Sequence, residues 1–339
     1  MKILIIKLSA LGDVLQTLPA LAQLKRELPF AEIDWAVEER NSELLMNHPY
    51  INKLLLFRKD CLQNIFKFWH FFSELRLKKY TAVIDFQGLL KSALLVFFAK
   101  SYYKIGFSNH REGSPFFYNL KFSPYDPEMH AVKRYLLLAK KSYLFLLTGK
   151  EIEPEVKEIP RDIPLPEEIP PFFQPQKPYL LLIPSARWES KIWPFEYWNE
   201  FLQLSQNLRK RYDFYFIGGK DKDLQHFTEL MAQKHSGVYS MVGKTHLREL
   251  VYIMRGAEAV ISVDTGTMHL ASLLNKPILA LFGPTAENRT GPWSDKFLVL
   301  SENLACQPCF KKKCTHKTCL FKLTPDRVYR ALKDFLHTL

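Results

Sequence analysis

Asp13 stands where a chain that does chemistry tends to place a working side chain. The apolar run Lys2 to Lys7 leads into Ser9-Ala10-Leu11-Gly12-Asp13, and helical spacing follows at once. A carboxylate at such a strand-to-helix turn either caps the helix or serves as a general base, and residue type alone leaves both open. A second join of this kind is Ser262-Val263-Asp264-Thr265-Gly266-Thr267-Met268-His269. Exposed N–H groups at that helix start, with the Thr265 and Thr267 hydroxyls, make an anion site that fits a diphosphate. The plainer alternative is that Asp264 or Thr265 caps the helix and His269 packs. Phe282-Gly283-Pro284-Thr285 repeats the strand-end glycine turn one strand later. The segment Ile183 to Lys191 leaves another strand and ends in a lysine, whose compact ammonium suits a leaving diphosphate unless the loop is solvated surface.

Cys306, Cys309, Cys314 and Cys319 form C-x2-C-x4-C-x4-C with His316 nearby, while Cys61 stands alone. In a cytosolic chain such a cluster points to structural zinc, to reduced thiols or to a stapled loop. Two nucleotide signatures fail. No G-x-G-x-x-G follows the first strand, which demotes a dehydrogenase, and Gly243-Lys244-Thr245 lacks the first P-loop glycine because Val238 stands there. Ile65 to Tyr80 mixes Phe66, Phe68, Trp69, Phe71 and Phe72 with Lys67, Arg76, Lys78 and Lys79. That composition fits a helix on a lipid surface or a core helix with snorkelling lysines.

These residues need a scaffold, and 339 residues are enough for two domains. Short apolar strands alternate with amphipathic helices: strands at 2–7, 32–37, 82–86 and 103–107, helices at 13–28 and 89–100. Eight prolines between Glu151 and Pro178 exclude helix interiors and central strands there. The expected organisation is an N-terminal domain over 1–150, a linker over 151–178 and a second domain over 179–339. The second domain repeats the grammar, with strands at 179–183, 213–217, 238–242, 259–263 and 278–282 and helices at 195–211, 224–234, 247–255 and 267–274. The fold class is α/β, two doubly wound Rossmann-like domains facing across a cleft, which is the default active site. A last helix, Pro325 to Leu336, takes Thr324 as N-cap and is expected to pack back across the first domain.

The net charge of +12 attracts anions, but the basic residues are dispersed and no nucleic-acid motif occurs, so a nucleic-acid partner is not expected. Lys7 interrupts the N-terminal apolar run, so no export signal is read, and no apolar stretch approaches the roughly 18 residues of a membrane span.

Lys7-Leu-Ser-Ala-Leu-Gly-Asp13-Val-Leu-Gln-Thr-Leu-Pro-Ala20 resembles the opening of the bacterial ADP-heptose:lipopolysaccharide heptosyltransferases, glycosyltransferase family 9. The resemblance continues through Asp85-Phe-Gln-Gly-Leu-Leu-Lys91, His110-Arg-Glu-Gly, His130-Ala-Val-Lys-Arg134, Asp264 to His269 and Phe282 to Thr285, and covers nearly the whole chain. The middle segments look most like heptosyltransferase I; the cysteine cluster looks more like heptosyltransferase II. The resemblance implies a GT-B fold and an inverting transfer of L-glycero-D-manno-heptose from ADP-heptose to the Kdo of Kdo2–lipid A, with no cofactor required. It implies Asp13 as base, with Lys191, Asp264, Thr265, Gly266, His269, Gly283 and Thr285 around the donor diphosphate. Ser185 stands where the family often has Thr, and Asp221 matches an acid that meets the ribose. Lys91, Arg111 and Arg134 match positions that grip the acidic acceptor. It also implies a cytoplasmic enzyme, peripheral to the inner membrane. Rival readings are a transferase adding a later sugar and a nucleotide-sugar-binding relative that has lost transfer.

Overall fold

The computed structural model describes residues 1–58 and 65–339, with only the backbone described over 65–70. Cys61 and the side chains of Phe66, Lys67, Phe68 and Trp69 therefore lie outside the described residues. The chain divides into two compact units, Met1–Pro166 and Glu167–Leu339, so the division falls inside the proline-rich stretch.

In the first unit, β1 (Lys2–Ile6), β2 (Glu32–Glu38), β3 (Lys53–Phe57), β4 (Lys79–Asp85), β5 (Lys100–Phe107) and β6 (Leu120–Phe122) form a parallel sheet in the order β3-β2-β1-β4-β5-β6. Its helices are α1 (Leu11–Glu27), α2 (Ile65–Leu77), α3 (Leu90–Phe98) and α4 (Ala131–Thr148). Ile3, Leu4, Ile5 and Ile6 are wholly buried because helices cover both faces of a parallel sheet. Each such side chain contributes about 1.5–3 kcal/mol by leaving water. Helix α1 packs on α4. Phe71 and Phe72 of α2 are buried in the first unit's core, so this part of the aromatic stretch faces inward.

In the second unit, β7 (Tyr179–Ile183), β8 (Asp213–Phe216), β9 (Val238–Ser240), β10 (Ala259–Val263), β11 (Ile278–Leu281) and β12 (Phe297–Leu300) run in the order β12-β11-β10-β7-β8-β9, again parallel. The helices are α5 (Phe195–Leu204), α6 (Lys222–Lys234), α7 (Leu247–Gly256), α8 (Gly266–Leu273), α9 (Glu287–Thr290), α10 (Thr318–Phe321) and α11 (Pro325–His337). The Thr324 side chain accepts the Arg327 N–H, which caps α11 as expected. Val328, Leu332 and Phe335 join Trp198 and Phe201 of α5 in the second unit's core, so α11 places its apolar face there.

Both sheets carry the doubly wound order, which reverses between β1 and β4 in one unit and between β7 and β10 in the other. Ligands of such sheets bind beyond the carboxyl ends of the strands at that reversal. Asp13 follows β1, Gln87 follows β4, Lys191 follows β7 and Asp264 follows β10.

Candidate active site

At the end of β1, Ala10 occupies the N-cap of α1, and Asp13 sits in the first turn with Oδ2 accepting the Ala10 N–H at 3.1 Å. Its Oδ1 accepts the Tyr135 hydroxyl at 3.0 Å. Capping and chemistry are thus compatible in one residue: both oxygens are anchored, yet the side chain keeps 42% of its surface exposed. Lys7, 3% exposed, donates to the Tyr135 oxygen at 2.7 Å and to the Phe86 carbonyl at 3.2 Å, and stands 3.7 Å from Asp13.

The Asp85-Phe-Gln-Gly turn is a brace for this arrangement. Buried Asp85 accepts the N–H groups of Gln87 and Gly88 and the hydroxyls of Ser92 and Tyr118. The Gln87 side-chain oxygen accepts the N–H groups of Leu8 and Ser9, both at 3.1 Å, which fixes the turn that carries Asp13. Gly88 has φ +64°, and a Cβ there would come 2.5 Å from the His110 ring, so only glycine fits. Burial, aided by the charges of Lys7, Arg134 and Arg111, lowers His110 to about 3, so it is neutral at ordinary pH.

The three expected acceptor cations separate. Arg134 lies over the rings of Tyr125 and Tyr135, 4.9 and 5.3 Å from their centroids, within the field of Asp13. Arg111 is exposed beside His110. Lys91 instead pairs with Glu38, which Arg40 also holds at 2.6 Å. Burial alone would raise the Glu38 carboxyl; the two cations outweigh it and hold Glu38 below its ordinary value.

In the second unit, Lys191 meets Asp264 at 2.6 Å, and the Thr285 hydroxyl donates to the same oxygen at 2.6 Å. Two strand-end turns thereby meet at one carboxylate. Thr265 is the N-cap of α8, and Thr265, Gly266 and Thr267 are half-buried, so the helix start is open to an anion. His269 packs flat on Trp293, with ring centroids 5.5 Å apart, which is the packing alternative read from its sequence. The Ser185 hydroxyl lies beside Gly218. Asp221 caps α6 by accepting the Leu224 N–H at 2.9 Å, which by itself accounts for an aspartate there.

Gly283 packs closely: a Cβ would come 3.0 Å from Leu320 and 3.3 Å from the Cys319 sulfur, so these side chains would have to shift. The cysteine loop is tied to the turns after β7 and β11. The Gln307 amide donates to the Gly283 carbonyl at 2.6 Å, and the Cys309 and Phe310 N–H groups both donate to Pro284. Ser190 donates from its hydroxyl to Lys311 at 2.6 Å, and Lys317 pairs with Glu189 at 3.1 Å. Cys306, Cys309, Cys314 and Cys319 are free thiols. Among the described residues no three His, Cys, Asp or Glu side chains are placed to share a metal ion. Hydrogen bonds account for the loop's course.

Sequence reasoning missed Lys7, Tyr135 and Gln87. The one available signal was Lys7 itself, a lysine directly after the apolar run Ile3 to Ile6.

The family model for glycosyltransferase family 9 (heptosyltransferase) matches residues 68–320. The chain is 30% identical to lipopolysaccharide heptosyltransferase 1 of Pseudomonas aeruginosa over 99% of this chain and 98% of that one. It is 30% identical to lipopolysaccharide heptosyltransferase 1 of Salmonella typhimurium over 84% of this chain and 89% of that one. Among solved structures, Escherichia coli heptosyltransferase WaaC with ADP superposes with a TM-score of 0.79 at 25% identity, covering 99% of this chain and 100% of that one. The strand order, the Asp13 and Asp264 turns and these matches agree, and the chain belongs to glycosyltransferase family 9, the heptosyltransferases.

Proposed function

We propose that this heptosyltransferase moves L-glycero-D-manno-heptose from ADP-heptose to the Kdo of Kdo2–lipid A in lipopolysaccharide inner-core synthesis. The observation that carries the chemistry is Asp13, accessible yet held at both oxygens beside the reversal of its sheet. Asp13 takes the acceptor hydroxyl proton as that oxygen bonds to the anomeric carbon of the heptose. The bond from that carbon to the β-phosphate oxygen breaks with inversion, and ADP leaves with the electron pair. Lys191 and the N–H groups opening α8 receive the charge, and Arg111 and Arg134 hold the acceptor's acidic groups. Lys91 reaches the acceptor only by leaving Glu38. The type 1 relatives, matched over most of their length, support the first-heptose reading.

ADP release from ADP-heptose, followed with Kdo2–lipid A, with an already heptosylated core and with no acceptor, is expected to be fast only with Kdo2–lipid A. Turnover with the heptosylated core alone would replace this reading with a later transfer.

Among the described residues no helix is long and apolar enough to cross a membrane. We infer peripheral contact with the acidic cytoplasmic face of the inner membrane. It is supported by exposed Phe97 and Tyr102, with Lys104 over the Phe97 ring and Lys79 over the Tyr102 ring. The protein should sediment with phosphatidylglycerol vesicles, and Phe97→Ser with Tyr102→Ser should release it; equal sedimentation of both proteins refutes this face.

A further inference from the structure

Three groups separated widely in sequence form a directed chain behind the proposed base. Lys7 directly follows β1, Tyr135 lies on α4 and Asp13 sits in the first turn of α1. An ammonium has only donors to offer, whereas a phenol has one proton and acceptor lone pairs. Lys7 donates to the Tyr135 oxygen at 2.7 Å, so the single phenolic proton points away from Lys7, along the 3.0 Å contact to Asp13 Oδ1. Tyr135 is 4% exposed and Lys7 2%, so water does not compete for this chain as it does at the Asp13 carboxylate. The direction of the chain is therefore set by the inventory of donors, with no alternative assignment of the phenolic proton.

The same geometry spaces the charges. Lys7 stands 3.7 Å from Asp13 Oδ1, beyond a direct hydrogen bond, with the phenolic oxygen engaged by both. A second donation, to the Phe86 carbonyl, and its position over the Tyr135 ring at 4.4 Å hold the ammonium in place. The carboxylate is held at both oxygens, by Tyr135 on Oδ1 and the Ala10 N–H on Oδ2, while its side chain keeps 42% of its surface exposed.

We propose that Tyr135 is a positioning residue for transfer, aiming the Asp13 carboxylate and bridging it by hydrogen bonds to Lys7, whose ammonium stands 3.7 Å away. This rests on the reading of Asp13 as the base. Tyr135 keeps its own proton throughout: the acceptor O–H bond breaks and the new O–H bond forms on Asp13. Arg134, hydrogen-bonded to the Tyr135 side chain and 5.3 Å from its ring centroid, and Arg111, beside His110, also face this centre. His110 itself, held neutral down to about pH 3 by burial and by the charges of Lys7, Arg134 and Arg111, does not titrate in the working range.

Tyr135→Phe removes one oxygen and keeps the ring beneath Lys7 and Arg134. The expected result is a fall in kcat of about ten-fold, as for a lost hydrogen bond to a charged group, with KM for ADP-heptose unchanged. The acidic limb of kcat/KM should move to higher pH, because the carboxylate has lost a donor that favours its charged form. A merely structural role would leave that limb in place. Asp13→Asn and the thermal midpoints of all three proteins are measured alongside. An inactive Asp13→Asn with a Tyr135→Phe whose kcat and pH profile match the parent overturns the role of Tyr135 alone. A limb that moves to lower pH also overturns it. An active Asp13→Asn removes the base reading on which the proposal stands, whatever Tyr135→Phe does.

Discussion

Changing Asp13 to asparagine is expected to lower heptosyl transfer by about 10²- to 10⁴-fold, the usual contribution of a general base, while ADP-heptose affinity stays within about three-fold. The asymmetry follows from what a base touches: it acts on the acceptor hydroxyl, and nothing in its role involves the nucleotide. Asparagine is the sharper substitution because its amide oxygen can still accept either the Ala10 N–H or the Tyr135 hydroxyl that the carboxylate accepts now. Alanine would also remove a contact that fixes the start of α1, at a cost of about 1 kcal/mol for a lost cap, and would mix stability with chemistry. Single-turnover transfer, with ADP-heptose binding measured separately, checks this. Transfer within ten-fold of the parent would leave the reaction without its base and return Asp13 to the role of a helix cap.

How much of this was legible beforehand depends on which residues neighbours in sequence can explain. The central strands were readable because β1, β7 and β10 are buried on both faces and so are apolar nearly throughout, Lys2 and Ser262 excepted. Three of the four edges were not. β3, β6 and β12 lie at open edges and carry few buried positions, so neither a run nor an alternation stands out. Helix α4 went unread although it supports the base. Its apolar run is broken by Lys140-Lys141, and Lys141 is in fact 1% exposed, its charge met by Ser123 and Glu153. A lysine normally signals solvent, so buried ones mislead.

The site divides in the same way. Asp13, Lys191 and Asp264 stand at strand ends that the βα grammar marks. Their partners do not. Tyr135 meets Lys7 across 128 positions, and Thr285 meets Asp264 across 21, so only the fold brings either pair together. Lys91 looked free for an acidic acceptor because nothing in its own segment announces Glu38, 53 positions earlier.

Replacing Lys191 with methionine should lower kcat/KM by about 10²- to 10³-fold, the scale of losing one preorganised group at a developing negative charge. It should also weaken inhibition by ADP, because the product carries the charge that Lys191 meets. Methionine keeps the stem over the Trp188 ring, where the ammonium now lies 4.6 Å from the centroid. The substitution has a second consequence. Asp264, 3% exposed, would retain the Thr285 hydroxyl but lose the Lys191 ammonium, and an uncompensated buried carboxylate destabilises the second unit. Activity lost through poor folding must therefore be separated from activity lost through missing charge. Adding Asp264→Asn to Lys191→Met removes the stranded charge while leaving the donor side without its lysine. The double variant is expected to recover thermal stability and to remain inactive. If it recovers both, the ion pair is a brace between two strand-end turns, and the charge on the leaving diphosphate must be met by the N–H groups opening α8 and by other cations.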